Sequence, residues 1–178
     1  MSLAWSRQER PLWDVDKRSV IGGAPTGALD VSYADDADLP GDWFVATDDG
    51  RVVGVGWLDS TWGGDTEILL AVASDAQRSG VGSFVLENLE REAAGRGTNY
   101  VYNTVRDSHP DREAVHDWLL VRGYRGDERD LALRKRVGAR EAAATHREAS
   151  GGDGLPEDTL PPGREDSGGY VDVEDHRY

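Results

Sequence analysis

The sequence predicts an α/β (α+β) domain built on a mixed sheet, and three observations predict it. Between Asp42 and Val137, apolar runs bounded by turn residues alternate with two stretches of helical periodicity. The order reads strand, strand, strand, helix, strand, helix, strand, and a strand–helix–strand passage within one sheet implies a right-handed parallel crossover. The chain has 178 residues, enough for one domain of ordinary size plus some tail.

Each element has its own signal. Trp43-Phe-Val-Ala-Thr47 and Arg51-Val-Val-Gly-Val-Gly-Trp-Leu58 flank the turn residues Asp48-Asp-Gly50, which predicts a β-hairpin. Thr66 to Ala73 is a third strand. Over Val81 to Ala94, Val81, Phe84, Val85, Leu89 and Ala93 recur at helical spacing, with Glu87, Glu90, Arg91 and Glu92 mostly opposite, and Gly95 and Gly97 close the helix. Asn99 to Val105 is a strand. Asp111 to Val121 is a helix whose Val115, Trp118, Leu119 and Arg122 repeat at three or four, Gly123 ends it, and Asp130 to Val137 is the last strand.

Both ends differ from this core, so the chain divides into 1–41, 42–137 and 138–178. Residues 1–41 scatter Trp5, Trp13 and Tyr33 among Pro, Gly and charges, with one strand expected at Ala28 to Tyr33 and no helix. From Gly138 onward ten acids face four arginines, so the tail carries −6 of the formal −14. Residues 140–169 hold Leu155 and Leu160 as their only large aliphatics, too little apolar area to offset ordering entropy except in a short helix over 140–149. The last ten residues alternate Tyr and Val with acids, a pattern able to add an edge strand or dock on a partner, though a solvated acidic tail is the plainer reading.

Composition narrows the partners. With 34 acids against 20 bases and a pI near 4.6, the chain should repel phosphate backbones and anionic lipid, so neither nucleic acid nor a membrane surface is expected. The absence of cysteine removes disulfides, thiolate metal sites and cysteine nucleophiles. No run of about 18 apolar residues exists, and the first ten residues lack the apolar core of a signal peptide. A cytoplasmic protein is the expectation. His109 and His116 have no third ligand beside them, so no metal is expected, and no Gly-x-Ser-x-Gly elbow supports a serine hydrolase.

The chemistry concentrates where the third strand meets the first core helix, at Gln77-Arg78-Ser79-Gly80-Val81-Gly82-Ser83. Two glycines ahead of a helix let a ligand approach the backbone, while the first helical N–H groups and the helix dipole favour an anion. Arg78 adds charge. A phosphate-binding Walker loop would need Lys after Gly82, and a dinucleotide fingerprint would need glycine at Val85; both fail. What remains, Gln77-Arg-Ser-Gly80-Val-Gly82, resembles the [RQ]-x-x-G-x-[GA] pyrophosphate loop of the GNAT acyltransferase superfamily, and the element order from Trp43 to Val137 matches that family as well.

The resemblance implies a splayed mixed sheet flanked by helices, with acetyl-coenzyme A as acyl donor and no metal. By position, Leu70, Ala71 and Val72 would offer backbone groups to the pantetheine, and Gln77 to Ser83 would hold the pyrophosphate. Asn103 would touch the splayed gap. Glu67, ten residues before Gln77, resembles the family's strand glutamate that serves as general base; an amine of pKa near 10.4 must lose a proton before it can attack. Its neighbours Ile68 to Val72 are apolar, and burial would raise its pKa towards the useful range, whereas a glutamate facing water at a strand edge would have no such role.

The chain departs from the family pattern in two places. The usual acid, a tyrosine four residues before the glycine that ends the second helix, is replaced by Leu119, and Arg112 stands near the usual asparagine. Tyr100, Tyr102 or His116 could substitute, with Tyr102 the leading candidate. Family members also place a strand and two helices before the hairpin, where about 40 residues with poor helical signals are available here, so the acceptor side is open or built otherwise. The resulting expectation is direct acyl transfer to a cationic amine, either a protein lysine or N-terminus or a small polyamine, with a homodimer allowed. The rival is a module that binds a coenzyme A thioester or a protein without turnover.

Overall fold

The computed structural model describes residues 2–60, 64–126, 129 and 131–138. The expected helix over 140–149 and the terminal Tyr/Val motif lie outside them. Six strands and three helices follow in the order β1 (Leu3–Arg7), α1 (Val15–Gly22), β2 (Asp42–Asp48), β3 (Arg51–Ser60), β4 (Asp65–Val72), α2 (Val81–Gly95), β5 (Tyr100–Thr104), α3 (Arg112–Val121) and β6 (Ala132–Arg136). The strands lie side by side in chain order. All neighbours are antiparallel except β4 and β5, which α2 joins as a parallel crossover.

The predicted elements of the core form within a residue or two of their expected limits. At the β2–β3 hairpin Asp49 and Gly50 both take positive φ, the geometry that matches a two-residue turn to the twist of its strands. α2 lies over β3, where Gly56 makes room: a Cβ there would come within 2.9 Å of both Leu89 and the Trp5 ring. Val81, Val85, Leu86, Leu89 and Ala93 of α2, Leu119 of α3 and Ile68 and Val101 of the central strands fill one core. α1 covers the opposite face, where Val20 and Ile21 pack with Trp13, Trp43, Val55 and Ala71. Strand alternation therefore puts Thr66, Ile68 and Leu70 on the α2 face and Glu67, Leu69 and Ala71 on the α1 face.

The N-terminal segment corrects two expectations. Leu3–Arg7 is a strand and Val15–Gly22 a helix, although neither was expected. α1 has little apolar contrast along its length, and the reason is Lys17. This lysine is fully buried, held by Asp14 at 2.7 Å, and so occupies a core position that a hydrophobicity pattern scores as surface. Conversely, Ala28 to Tyr33 is no strand. Its alternating apolar residues serve two cavities instead of a sheet: Ala28, Leu29 and Val31 line a cleft described below, and Leu29 and Val31 also border an outer groove beside Trp13 and Tyr33.

Candidate active site

β4 and β5 pair only at Asp65–Tyr100, Thr66–Val101 and Glu67–Tyr102, and beyond Glu67 they part. Side chains take over where the ladder stops. Asn103 Nδ2 donates to the Ile68 carbonyl at 2.8 Å, and Gln77 Nε2 donates to that of Val72 at 3.3 Å. Backbone groups two apart point the same way, so Leu70, midway between them, turns its amide and carbonyl to the gap.

The parted strands open a cleft of about 480 Å³. Its floor is Glu67 to Val72; Asn103 to Arg106 and the α3 residues Val115, Trp118 and Leu119 form one side, and Gln77, Arg78 and Gly82 lie at its end. Residues 24–31 form the remaining wall. This strap is fixed to the β5–α3 loop, where Ser108 Oγ donates to the Gly27 carbonyl at 2.7 Å and Arg106 lies 3.6 Å from Asp30. The backbones meet so closely that a Cβ on residue 27 would come within 2.4 Å of the Ser108 carbonyl oxygen.

At the α2 end the cap residue Gly80 is left-handed, with φ 94°, and no side chain caps the helix. Its first turn holds no acid, so the amides of the first helical residues keep their hydrogens for a ligand. Arg78 is itself left-handed at φ 59° and exposed, and it pairs with no carboxylate among the described residues. Ser79 Oγ donates back to the Ala76 carbonyl at 2.5 Å and tightens the turn. Val81 is buried in the core, anchoring the first turn from beneath. Four features that the sequence did not assign to the site also belong here: the strap, Trp118, His109 and Arg122. Only their tertiary placement joins them to the loop.

The two residues expected to do acid–base chemistry share a face and a register position, since Glu67 pairs with Tyr102. Glu67 is half-buried, lines the cleft and accepts a hydrogen bond from Thr104 Oγ1 at 3.3 Å. Tyr102 is half-buried beside it but does not line the cleft. Burial, then the charges of Glu67 and Asp59, push its phenol above the ordinary value, with Asp65 adding to the effect and Arg134 opposing it. Of the other two substitutes, His116 is buried in α3 and Tyr100 is exposed at the start of β5. Among the described residues no group of three or more His, Asp or Glu could hold a metal, and no helix is long and apolar enough to cross a membrane.

A parallel pair of strands splayed over a bare helix N-terminus defines a fold shared with known proteins. The sequence profile of the acetyltransferase (GNAT) family matches residues 9–119, more than half of the chain, and the chain belongs to that family. Among solved structures, a GNAT-family protein from Desulfovibrio desulfuricans is 17% identical, with a TM-score of 0.58 over 77% of this chain and 100% of that one. The Escherichia coli protein YhhK, determined in solution with coenzyme A bound, is 18% identical, with a TM-score of 0.55 over 76% of this chain and 99% of its own. At such identities the likeness is one of fold. No curated protein sequence matches the chain.

Proposed function

We propose that the chain is an acetyl-coenzyme A dependent N-acyltransferase acting on a cationic amine by direct transfer. The observation that carries this reading is the junction of an uncapped, acid-free α2 terminus with a cleft whose floor ends at Glu67. The residues present fit the cofactor. The amides of α2 and Arg78 suit a diphosphate, and the Leu70 backbone, turned to the gap by the parting of β4 and β5, suits an amide-bearing arm.

When bound, acetyl-coenzyme A supplies an acyl thioester for an amine to attack. Glu67 takes a proton from the acceptor's ammonium, directly or through one water, so that the nitrogen lone pair becomes available. Asn103 holds the strands apart by occupying the Ile68 carbonyl, which keeps the gap open without leaving that carbonyl bare. Tyr102 has no acid role here, because it does not line the cleft and a thiolate of pKa about 8.5 can leave unaided. The acceptor is cationic in this reading because the chain's −14 favours a cation, while the anionic donor is met by local amides and arginines. A protein lysine or N-terminus and a small polyamine both fit that description.

Two measurements test it. Acetyl-coenzyme A should raise the melting temperature, because a ligand bound only to the folded state stabilises it. Thiol release with a panel of amines should then be lowered about 10²–10⁴-fold in kcat/KM by Glu67→Gln, with cofactor binding intact. An unchanged kcat/KM and pH profile would remove Glu67 as the base. Leu119, buried where the family's usual acid stands, favours a second reading, a thioester-binding module without turnover. Saturable cofactor binding with no release on any amine would select it.

A further inference from the structure

We infer that Arg122 is the second cation of the diphosphate site, holding the Ser83 hydroxyl in place to donate to a phosphate oxygen. This rests on the cofactor reading above and adds a residue from a different helix. Arg122 follows α3 directly, yet its guanidinium reaches the first turn of α2: Nη2 donates to Ser83 Oγ at 2.7 Å and Nη1 to the Trp118 carbonyl at 3.0 Å. It also stacks 4.0 Å from the centroid of the Trp118 ring. Three contacts therefore fix this side chain before any ligand arrives, so little rotamer freedom is left to lose on binding.

The charge balance gives this arrangement its meaning. In a chain of net −14, eight of the described arginines sit beside a carboxylate, Arg7, Arg18, Arg51 and Arg96 among them. Arg78 and Arg122 do not, among the described residues, and neither do Arg91, Arg125 and Arg136, but Arg78 and Arg122 are the ones at the α2 turn, which itself carries no acid. Arg122 spends a hydrogen bond on a neutral hydroxyl in a chain that holds 34 acids against 20 bases. Its partner gains by it. With an Oγ lone pair engaged by the guanidinium, Ser83 keeps its hydroxyl hydrogen to give, at the third position of a helix whose amides point the same way. Trp118 ties the pair to the cleft: its ring lines the cleft and lies 3.6 Å from where a Cβ on Gly82 would stand.

The assignment is tested by titrating the full chain with coenzyme A, with dephospho-coenzyme A, which lacks the 3′-phosphate but keeps the diphosphate, and with pantetheine, which lacks both. Arg122→Gln should weaken the first two by the same factor, about tenfold for a lost charge-assisted bond, and leave pantetheine unaffected. Ser83→Ala should cost a similar factor, and the double variant little more than either single one, because the two groups act as a unit. Arg122→Lys, which keeps the charge without the fork or the stack, should recover part of the loss. Unchanged binding by Arg122→Gln would overturn the assignment. So would a loss confined to coenzyme A, which would place Arg122 on the 3′-phosphate, or fully additive losses in the double variant. If Arg122→Gln melts without ligand far below the wild type, Arg122→Lys against the same pair of nucleotides decides. Failure of the wild-type chain to bind any of the three would instead remove the cofactor reading itself.

Discussion

α1 and α2 begin in opposite ways. In α1 the cap is Asp14, whose carboxylate accepts from the Lys17 amide at 2.9 Å, and Asp16 adds a second negative charge in the first turn. In α2 the equivalent positions are Gly80 and Gly82, with Ser83 standing where α1 has Lys17. One terminus is neutralised from within its own turn; the other is left positive, with Arg78 and Arg122 beside it. Both helices pack against the same sheet, so packing does not explain the contrast. A structural helix satisfies its own end, whereas a binding helix leaves that end for something else.

The contrast can be broken most severely by copying α1 onto α2. Gly82→Asp puts an acid at the position Asp16 holds in α1, and the site has ordinary room for a Cβ, 3.6 Å from Trp118 and 3.7 Å from Val72. The acetyl-coenzyme A dependent rise in melting temperature should vanish, while the unliganded protein gains up to about 1 kcal/mol from the helix dipole. A full rise retained in this variant would mean that the α2 terminus is not the binding end.

The converse change acts on stability alone. Asp14→Ala removes a cap and strands Lys17, which is fully buried, so unfolding free energy should fall by about 3 kcal/mol with the cofactor dissociation constant unchanged. Asp14→Asn, able to cap but not to pair, should fall between. Acid titration sharpens this further. Burial pushes the Asp14 carboxyl up, but the bonds and charge of Lys17 outweigh it and hold the carboxyl below the usual value of 3.8. A carboxyl lowered by folding stabilises at pH above its unfolded value and loses that contribution as pH falls through the folded one. The urea-midpoint gap between wild type and Asp14→Asn should therefore be level from about pH 5 upward and close below about pH 4. The smallest effect is that of salt. Raising ionic strength from about 0.05 to 0.5 M should weaken cofactor binding several-fold at the partly exposed α2 end and change the Asp14–Lys17 pair, whose lysine is fully buried, much less, because buried charges are screened less than exposed ones.

How much of this was legible in the sequence depends on how local the signals were. The hairpin, α2 and the loop from Gln77 to Ser83 announce themselves because turn residues and helical periodicity are written within a dozen residues. β1 pairs with β2 some forty positions away, Leu3 against Asp48, and its five residues carry no turn on either side. α1 was hidden by one buried lysine, and the strap passed for a strand because its apolar residues Ala28, Leu29, Val31 and Tyr33 line cavities and not a sheet face. In the site, Leu70 and Gln77 could be placed from the strand and the loop. Arg122 could not, since its role comes from a helix crossing that no spacing in the sequence records.

The strap that closes the cleft is joined to its anchor across 81 residues, from the Gly27 carbonyl to Ser108. The α2 turn itself, by contrast, needs only neighbouring strands and one crossover, and Arg122 joins it across 39 residues from Ser83. Closing a long loop costs entropy that must be met before its contacts repay it, so distant pairings form late in folding. The donor pocket and the wall opposite it therefore mature at different times. In pulse-labelled refolding, the amides of α2 should gain protection first and those of residues 24–31 last, and for that interval the chain holds a nearly finished binding turn above an unwalled gap.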